Sequence, residues 1–249
     1  LMLTSSRGQK LLINAGSGIR LASPEFQNYN DTIHILLSQH HWDHIQGLPF
    51  FEPINNEKQT IMIYPADLID SHDTAILEQI NKSYTVRKFH QLPAQITIKK
   101  MRFSEPEPVT IDDFQIQSLR SNHPGGGSAY KIICEEKTIV IANNNELYAP
   151  DEHCFHDFDA WRLFCEGADL LIHDARFMNA DMVNKMGQGH SCVNDALELA
   201  DAAEVKMLCM SCIDPSSSDE LLDYLTTKLY SDRHPFSFFF AKEGRSMFL

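Results

Sequence analysis

The densest polar cluster in this chain is Gln39-His40-His41-Trp42-Asp43-His44. It follows the apolar run 33–37 and precedes the apolar turn Ile45-Gln46-Gly47-Leu48-Pro49. Histidines and an aspartate just past a strand end are costly in a core unless they are paired or ligate something. Imidazole nitrogens with a carboxylate suit zinc, iron or manganese. A solvated turn that happens to be rich in histidine is the other reading of the same residues.

Further candidates are scattered. Cys209 and Cys212 have C-x-x-C spacing, and no second such pair completes a four-thiolate zinc site. A redox pair would need a helix start, whereas Cys209 falls inside the apolar run 206–211, where alternation points residues three apart to opposite faces. Cys212 reads either as a metal thiolate or as a small buried thiol. Gly125-Gly126-Gly127 beside His123 allows a close backbone approach, but no helix follows to make a phosphate loop. His153 and His156 flank Cys154 in an acidic loop, 151–159, that reads as solvated. His34, His72, His90 and His234 fall in strand, helix or loop positions with no chemical partner in the sequence.

These residues need elements to hold them. Short apolar runs ended by Gly or polar residues predict strands at 10–14, 33–37, 61–64, 96–103, 114–119, 129–134 and 138–142. The second half alternates: a helix at 158–167, a strand at 170–173, a helix N-capped by Ser191, a strand at 206–211 and a helix at Asp219–Tyr230. A surface helix is expected at 71–80, and two strand-like pieces in 236–249. Strands in both halves with helices between them suggest two sheets packed face to face with helices outside.

The composition narrows the function classes. Over 249 residues, Lys plus Arg total 21 and Asp plus Glu 34, a formal charge of 21 − 34 = −13. That balance argues against a nucleic-acid-coating protein. No apolar stretch reaches the roughly 18 residues of a membrane helix. No signal peptide opens the chain, and its start at Leu1 reads as a processed product or a fragment. The 6 cysteines read as reduced thiols, which implies a reducing compartment and a cytoplasmic location.

The 39–44 cluster resembles the H-x-H-x-D-H motif of the metallo-β-lactamase superfamily, and later motifs fall in that family's order. Leu11-Leu12-Ile13-Asn14-Ala15-Gly16-Ser17-Gly18 is similar to its D-x-G-x-G turn. Ser121-Asn122-His123-Pro124-Gly125-Gly126 is similar to the N-H-P-G-G form in phosphodiesterase-like members. The stretch 139–146 occupies the position of the strand bearing the metal-bridging aspartate. Leu171-Ile172-His173-Asp174-Ala175 and Gly189-His190-Ser191 resemble the H-E-A-T and H-S-T motifs of the tRNase Z branch. Met210-Ser211-Cys212 sits where the final histidine ligand is expected. The resemblance runs from about Lys10 to the end, and the ordered set is specific where any one motif would be weak.

The resemblance implies an α+β fold, a four-layer αββα sandwich of two mixed sheets flanked by helices, as one domain over 1–249. Members of this branch carry an extra Gly-rich hairpin before the D-x-G motif, and with only 1–9 preceding it here that hairpin is expected to be missing. The implied first-metal positions are Gln39, His41 and His123. The second-metal positions are Asp43, His44 and Cys212, and the bridging position is Asn144. Asn14 replaces the aspartate of D-x-G. Asp174 and His190 would form a proton relay beside the metal, with Asp43 also in the catalytic set.

The replacements decide the expected chemistry. Glutamine is a poorer zinc ligand than imidazole, and a neutral asparagine cannot bridge two cations roughly 3.5–4 Å apart. The expectation is therefore one zinc, iron or manganese per chain or none, on the Asp43-His44-Cys212 side. Two functions follow: a metal-dependent hydrolase of phosphodiester type with an altered, mononuclear or impaired site, and a non-catalytic binding or sensing module that retains the fold. RNA processing fares worst, since no basic Gly-rich insertion is present to hold tRNA. A small phosphodiester-like ligand and a homodimer are the expected partners, without nucleic acid or membrane.

Overall fold

The computed structural model describes residues 1–249 except 70–73, 82, 101–102, 104–106 and 231–233. The chain divides into two compact units. Unit 1 is Leu1–Arg102 with Asp112–Phe114, and unit 2 is Phe103–Ile111 with Gln115–Leu249.

Unit 1 is built on a five-stranded sheet in the order β1-β2-β3-β4-β5: Met2–Thr4, Lys10–Ile13, Ile33–Leu36, Thr60–Tyr64 and Gln95–Ile98. β1 runs antiparallel to β2, and β2 to β5 are parallel to one another. Every residue of β3 is buried, as expected of a parallel strand covered on both faces. Leu12, Ile33, Ile35, Leu37, Ile61 and Ile63 form the centre of its core. Three short helices, α1 (Ile19–Ala22), α2 (Trp42–Ile45) and α3 (Ala75–Glu78), follow β2, β3 and β4.

Unit 2 is built on a seven-stranded sheet in the order β12-β11-β10-β9-β8-β7-β6. In chain order these are Val109–Ile111, Phe114–Arg120, Ser128–Cys134, Lys137–Ala142, Leu170–Asp174, Met207–Ser211 and Ser237–Phe240, β6 to β12. β7, β8 and β9 form an antiparallel meander, and β9, β10, β11 and β12 are parallel. Crossovers between parallel strands need long connections, and α4 (Phe158–Cys165), α5 (Val193–Ala202) and α6 (Asp219–Tyr230) supply them. α4 starts where the Asp157 carboxylate accepts the Ala160 N–H at 2.9 Å. Its buried Trp161 packs with Leu199, Ala200 and Leu208 in the unit's core.

Several predicted elements shift. The strand expected at 96–103 ends at Ile98, with 101–102 outside the described residues. The helix expected at 71–80 is described only as Ala75–Glu78, with 71–73, His72 among them, outside the described residues. The tail yields one strand, β12, because the segment after Phe240 is exposed and offers no second apolar face. Ser191 does not cap α5. Its hydroxyl donates to the Asn145 carbonyl at 2.8 Å and accepts from Leu147 N at 2.9 Å, so the cap moves to Cys192, whose N–H the Asp195 carboxylate receives at 2.9 Å.

Asp112–Phe114, between β6 and the rest of β7, belong to unit 1. Ser5 Oγ donates to Asp113 Oδ2 at 2.6 Å, and Arg7 pairs with the same carboxylate. His34 lies 2.8 Å from the Tyr64 hydroxyl through Nδ1 and 3.5 Å from Asp112 through Nε2. His34 is thus a buried structural histidine.

Candidate functional site

In unit 2 the candidate residues gather where parallel strands end. β9, β10 and β11 are adjacent and in register, with His173 opposite Ala142 and Asp174 opposite Ser211. The C-terminal ends of such strands are where open α/β sheets place ligands, because the strands stop together and the loops diverge. Asn144 follows β9, Asp174 closes β10, and Cys212 follows β11.

Asp174 is fully buried. Its Oδ1 accepts the N–H groups of Arg176 and Ser191, each at 3.1 Å. Its Oδ2 lies 2.6 Å from His190 Nδ1. A carboxylate held by two backbone donors cannot swing, so it fixes the tautomer and ring orientation of His190. That leaves Nε2 of His190 as the atom able to give or take a proton.

His123 stands edge-on to His190, with ring centroids 5.8 Å apart at 86°. Its Nδ1 lies 2.6 Å from the Pro124 carbonyl, which makes Nδ1 the donor. Gly189 makes room for this pairing. It has φ +81°, and a Cβ there would overlap His123 Cδ2 and lie 2.7 Å from both His123 Cγ and Pro124 Cδ. The loop carrying Gly189 hangs on Glu146, a fully buried residue. Glu146 Oε1 accepts Gly187 N at 2.8 Å, and Oε2 accepts Gly189 N at 2.8 Å. Sequence reasoning missed the role of Glu146. The only trace of it is the pair of glycines at 187 and 189, both with positive φ.

The replaced family positions have their own geometry. Cys212 donates its thiol to Asn144 Oδ1 at 3.2 Å. Burial, reinforced by the Asp174 charge, pushes the Cys212 thiol well up from its ordinary range. Both residues lie in the left-handed region, φ 56° for Cys212 and 52° for Asn144. Asparagine tolerates that conformation better than most side chains, while a cysteine there is strained. A neutral amide at 144 cannot bridge two cations as a carboxylate does. These residues do not fit a bridged two-metal centre.

Neighbouring groups brace the strand ends. Ser211 Oγ donates to Asn143 Oδ1 at 2.7 Å. His173 is fully buried, donates from Nδ1 to the Asp174 carbonyl at 2.7 Å and accepts from Asn145 Nδ2 at 3.3 Å. Burial lowers its pKa and keeps it neutral. Asn122 Oδ1 accepts the N–H groups of Phe155 and His156, fixing the acidic loop as structure.

Unit 1 carries the other candidates at the end of β3. Asn14, with φ 64°, accepts Ser38 N at 2.8 Å and donates from Nδ2 to Ser38 Oγ at 2.9 Å. An aspartate at 14 would lack that donor. Ser38 Oγ lies 3.3 Å from His44 Nδ1, and His44 Nε2 lies 3.5 Å from Asp43 Oδ2. Gln39 and His44 are buried, His41 is exposed, and the Asp43 side chain is 73% exposed. His40 accepts the Ala66 N–H at 3.3 Å. A Cβ on Gly16 would overlap the Asp43 carbonyl oxygen, so the glycine of the D-x-G-like turn permits close packing against this loop.

Among the described residues no group of three or more His, Cys, Asp or Glu side chains could hold a metal ion. None of their helices is long and apolar enough to cross a membrane. The six cysteines, all among them, are thiols and not disulfides.

With this geometry in hand, comparison with known proteins defines the class. The model of the β-lactamase superfamily domain matches residues 9–211, and the chain belongs to that superfamily. Ribonuclease Z of Porphyromonas gingivalis is 23% identical over 246 residues, covering 81% of this chain and 78% of that protein. The metallo-β-lactamase fold protein YhfI of Bacillus subtilis superposes with a TM-score of 0.67 at 21% identity, covering 98% of this chain and 88% of the other. The short form of human tRNase Z gives a TM-score of 0.63 at 19% identity, covering 86% and 85%. The chain therefore has the α+β metallo-β-lactamase fold of two mixed sheets with flanking helices. It is a hydrolase-like relative of phosphodiesterases with an altered metal site.

Proposed function

We propose that this chain is a phosphoester-binding member of its superfamily in which the acid–base pair persists and two-metal hydrolysis is impaired. One contrast carries the reading. Asp174 still holds His190 at 2.6 Å, while Cys212 and Asn144, at two metal positions, bond to each other at 3.2 Å. The His190 ring, oriented by a buried carboxylate, is a charge-assisted donor for a phosphoryl oxygen. His123 lies beside it, edge-on, and packs against the ring that makes this contact. In this role Asp174 is a positioning residue and His190 the group that touches the ligand.

The relatives named Ribonuclease Z act on RNA by name. For this chain a small phosphodiester-like ligand is the better-supported choice, because a charge of −13 opposes a polyanion that must be held over many contacts. The thiol state of the cysteines supports a cytoplasmic setting. We take 1–249 to act as one domain, within a homodimer.

The test is made on the full chain purified without chelator. Bis(p-nitrophenyl) phosphate should bind in a way that His190→Ala abolishes, its hydrolysis should be weak, and metal analysis should find at most one equivalent. Two stoichiometric metals with fast turnover would overturn the reading.

A further inference from the structure

Beside the Asp174–His190 pair, unit 2 carries two cations that the reading above leaves unused. The chain leaves β10 at Asp174 and runs through Arg176 and Phe177. The N–H of Arg176 donates to Asp174 Oδ1 at 3.1 Å, so its backbone is anchored to the carboxylate that holds His190. Phe177 is buried and stands edge-on to His190, centroids 5.9 Å apart at 90°. The Arg176 guanidinium carbon lies 5.9 Å from the centroid of this ring, and the Lys185 ammonium 5.4 Å from it. His190 and two positive charges therefore all lie within 5.9 Å of the centroid of one aromatic ring.

The two cations are poorly compensated. Arg176 Nε lies 3.9 Å from Asp214 Oδ2, beyond hydrogen-bond length. Asp214 Oδ1 is spent on Ser216, whose N–H and hydroxyl reach it at 2.9 and 2.6 Å. Those bonds, and then the charges of Arg176 and Lys185, hold the Asp214 carboxyl below its usual range. Lys185 makes no ion pair among the described residues. Beside His190 the buried carboxylates of Asp174 and Glu146 are already taken up by their hydrogen bonds, so Arg176 and Lys185 are the charges still open to a ligand. The Arg176 side chain is 32% exposed and Lys185 is half-buried, so both can reach a ligand.

We propose that Arg176 and Lys185 select a ligand bearing a second phosphate, one phosphate resting at His190 and the other on the Phe177 rim. The guanidinium fork offers two parallel donors to a phosphate, and the ammonium adds a point charge. The proposal rests on the phosphoester reading and goes further by naming the ligand as a diphosphate or a bisphosphorylated compound.

Calorimetric titration of the full chain with inorganic phosphate and with inorganic pyrophosphate tests it. Pyrophosphate should bind about tenfold tighter than phosphate, and the Arg176→Gln, Lys185→Gln double variant should bring the two within about twofold. An Arg20→Gln, Lys58→Gln variant removes the same charge from exposed positions in unit 1 and should keep the full ratio. A ratio near one in the native chain, or one unchanged in the Arg176, Lys185 variant, overturns the proposal. Phosphate binding that His190→Ala abolishes, alongside either result, would leave the phosphoester reading standing. If the native chain binds neither anion, both fall.

Discussion

Asp43 in unit 1 and Asp174 in unit 2 each pair with a histidine in residues past or at the end of a parallel strand. The first side chain is 73% exposed and the second fully buried. Asp43 meets His44 at 3.5 Å, whereas Asp174 receives two backbone N–H groups and meets His190 at 2.6 Å. A hydrogen bond to a buried charge in fixed geometry contributes more than an exposed pair, which is screened and costs side-chain entropy. Unit 2 therefore holds its Asp–His pair in fixed geometry, and unit 1 leaves its pair loose. The family motif alone would assign the two carboxylates equal weight.

The largest expected effect comes from breaking the buried pair. Asp174→Ala strands the N–H groups of Arg176 and Ser191 and frees the His190 ring. Urea unfolding should show a loss on the order of 3 kcal/mol. Phosphoester binding should fall at least tenfold. Asp174→Asn keeps the shape and the acceptor Oδ1, so it should recover most of the stability and little of the binding. Full binding in Asp174→Asn would mean that charge at 174 plays no part.

Gly189→Ala comes next. The added methyl overlaps His123 in a backbone conformation, φ +81°, that alanine resists. Left-handed strain and overpacking together should cost about 2–3 kcal/mol, read as a lowered urea midpoint with an unchanged slope. Binding should fall with it, since His123 can relieve the overlap only by moving from His190. A variant as stable as the native chain would show that the His123–His190 contact is not tightly packed.

What was legible in the sequence followed from the same physics. The strands 33–37, 170–173 and 206–211 announce themselves because parallel strands buried on both faces are continuous apolar runs. Asp174 and His190 were legible as a pair only through the resemblance of their segments to the H-E-A-T and H-S-T motifs, and the fold brings them within 2.6 Å. Ser191 misled, since its hydroxyl is claimed by Asn145 and Leu147, residues far off in the chain, and Cys192 takes the cap instead. Glu146 was invisible because its partners are backbone N–H groups of glycines, which carry no side-chain signature. The cationic pair Arg176 and Lys185 was invisible for a related reason: only the packing of Phe177 brings them to His190.

A smaller effect should appear with pH, and both units should show it. Burial lowers the pKa of His34 in unit 1, outweighing Asp112, and of His156 and His173 in unit 2. The unfolded chain then binds protons that the folded chain refuses. Stability from these groups is complete above their unfolded pKa of about 6.5 and declines as pH falls below it. Urea midpoints measured from pH 7.5 to 5.5 should fall, and replacing His34 by Gln should flatten part of that slope. A midpoint that rises on acidification would contradict the burial of these rings.

The smallest effect is the one the comparison most depends on. Asp43→Ala removes a carboxylate that approaches His44 at 3.5 Å and whose side chain is mostly in water. An exposed pair of this kind contributes a few tenths of a kcal/mol at most, so the urea midpoint should stay within about 0.5 kcal/mol of the native chain. Phosphoester binding should hold as well, because His190, the group proposed to touch the ligand, is on unit 2. A tenfold loss of binding in Asp43→Ala would show that the exposed carboxylate does chemistry that its surroundings in unit 1 give no sign of. The asymmetry between the units would then describe rigidity alone, not function.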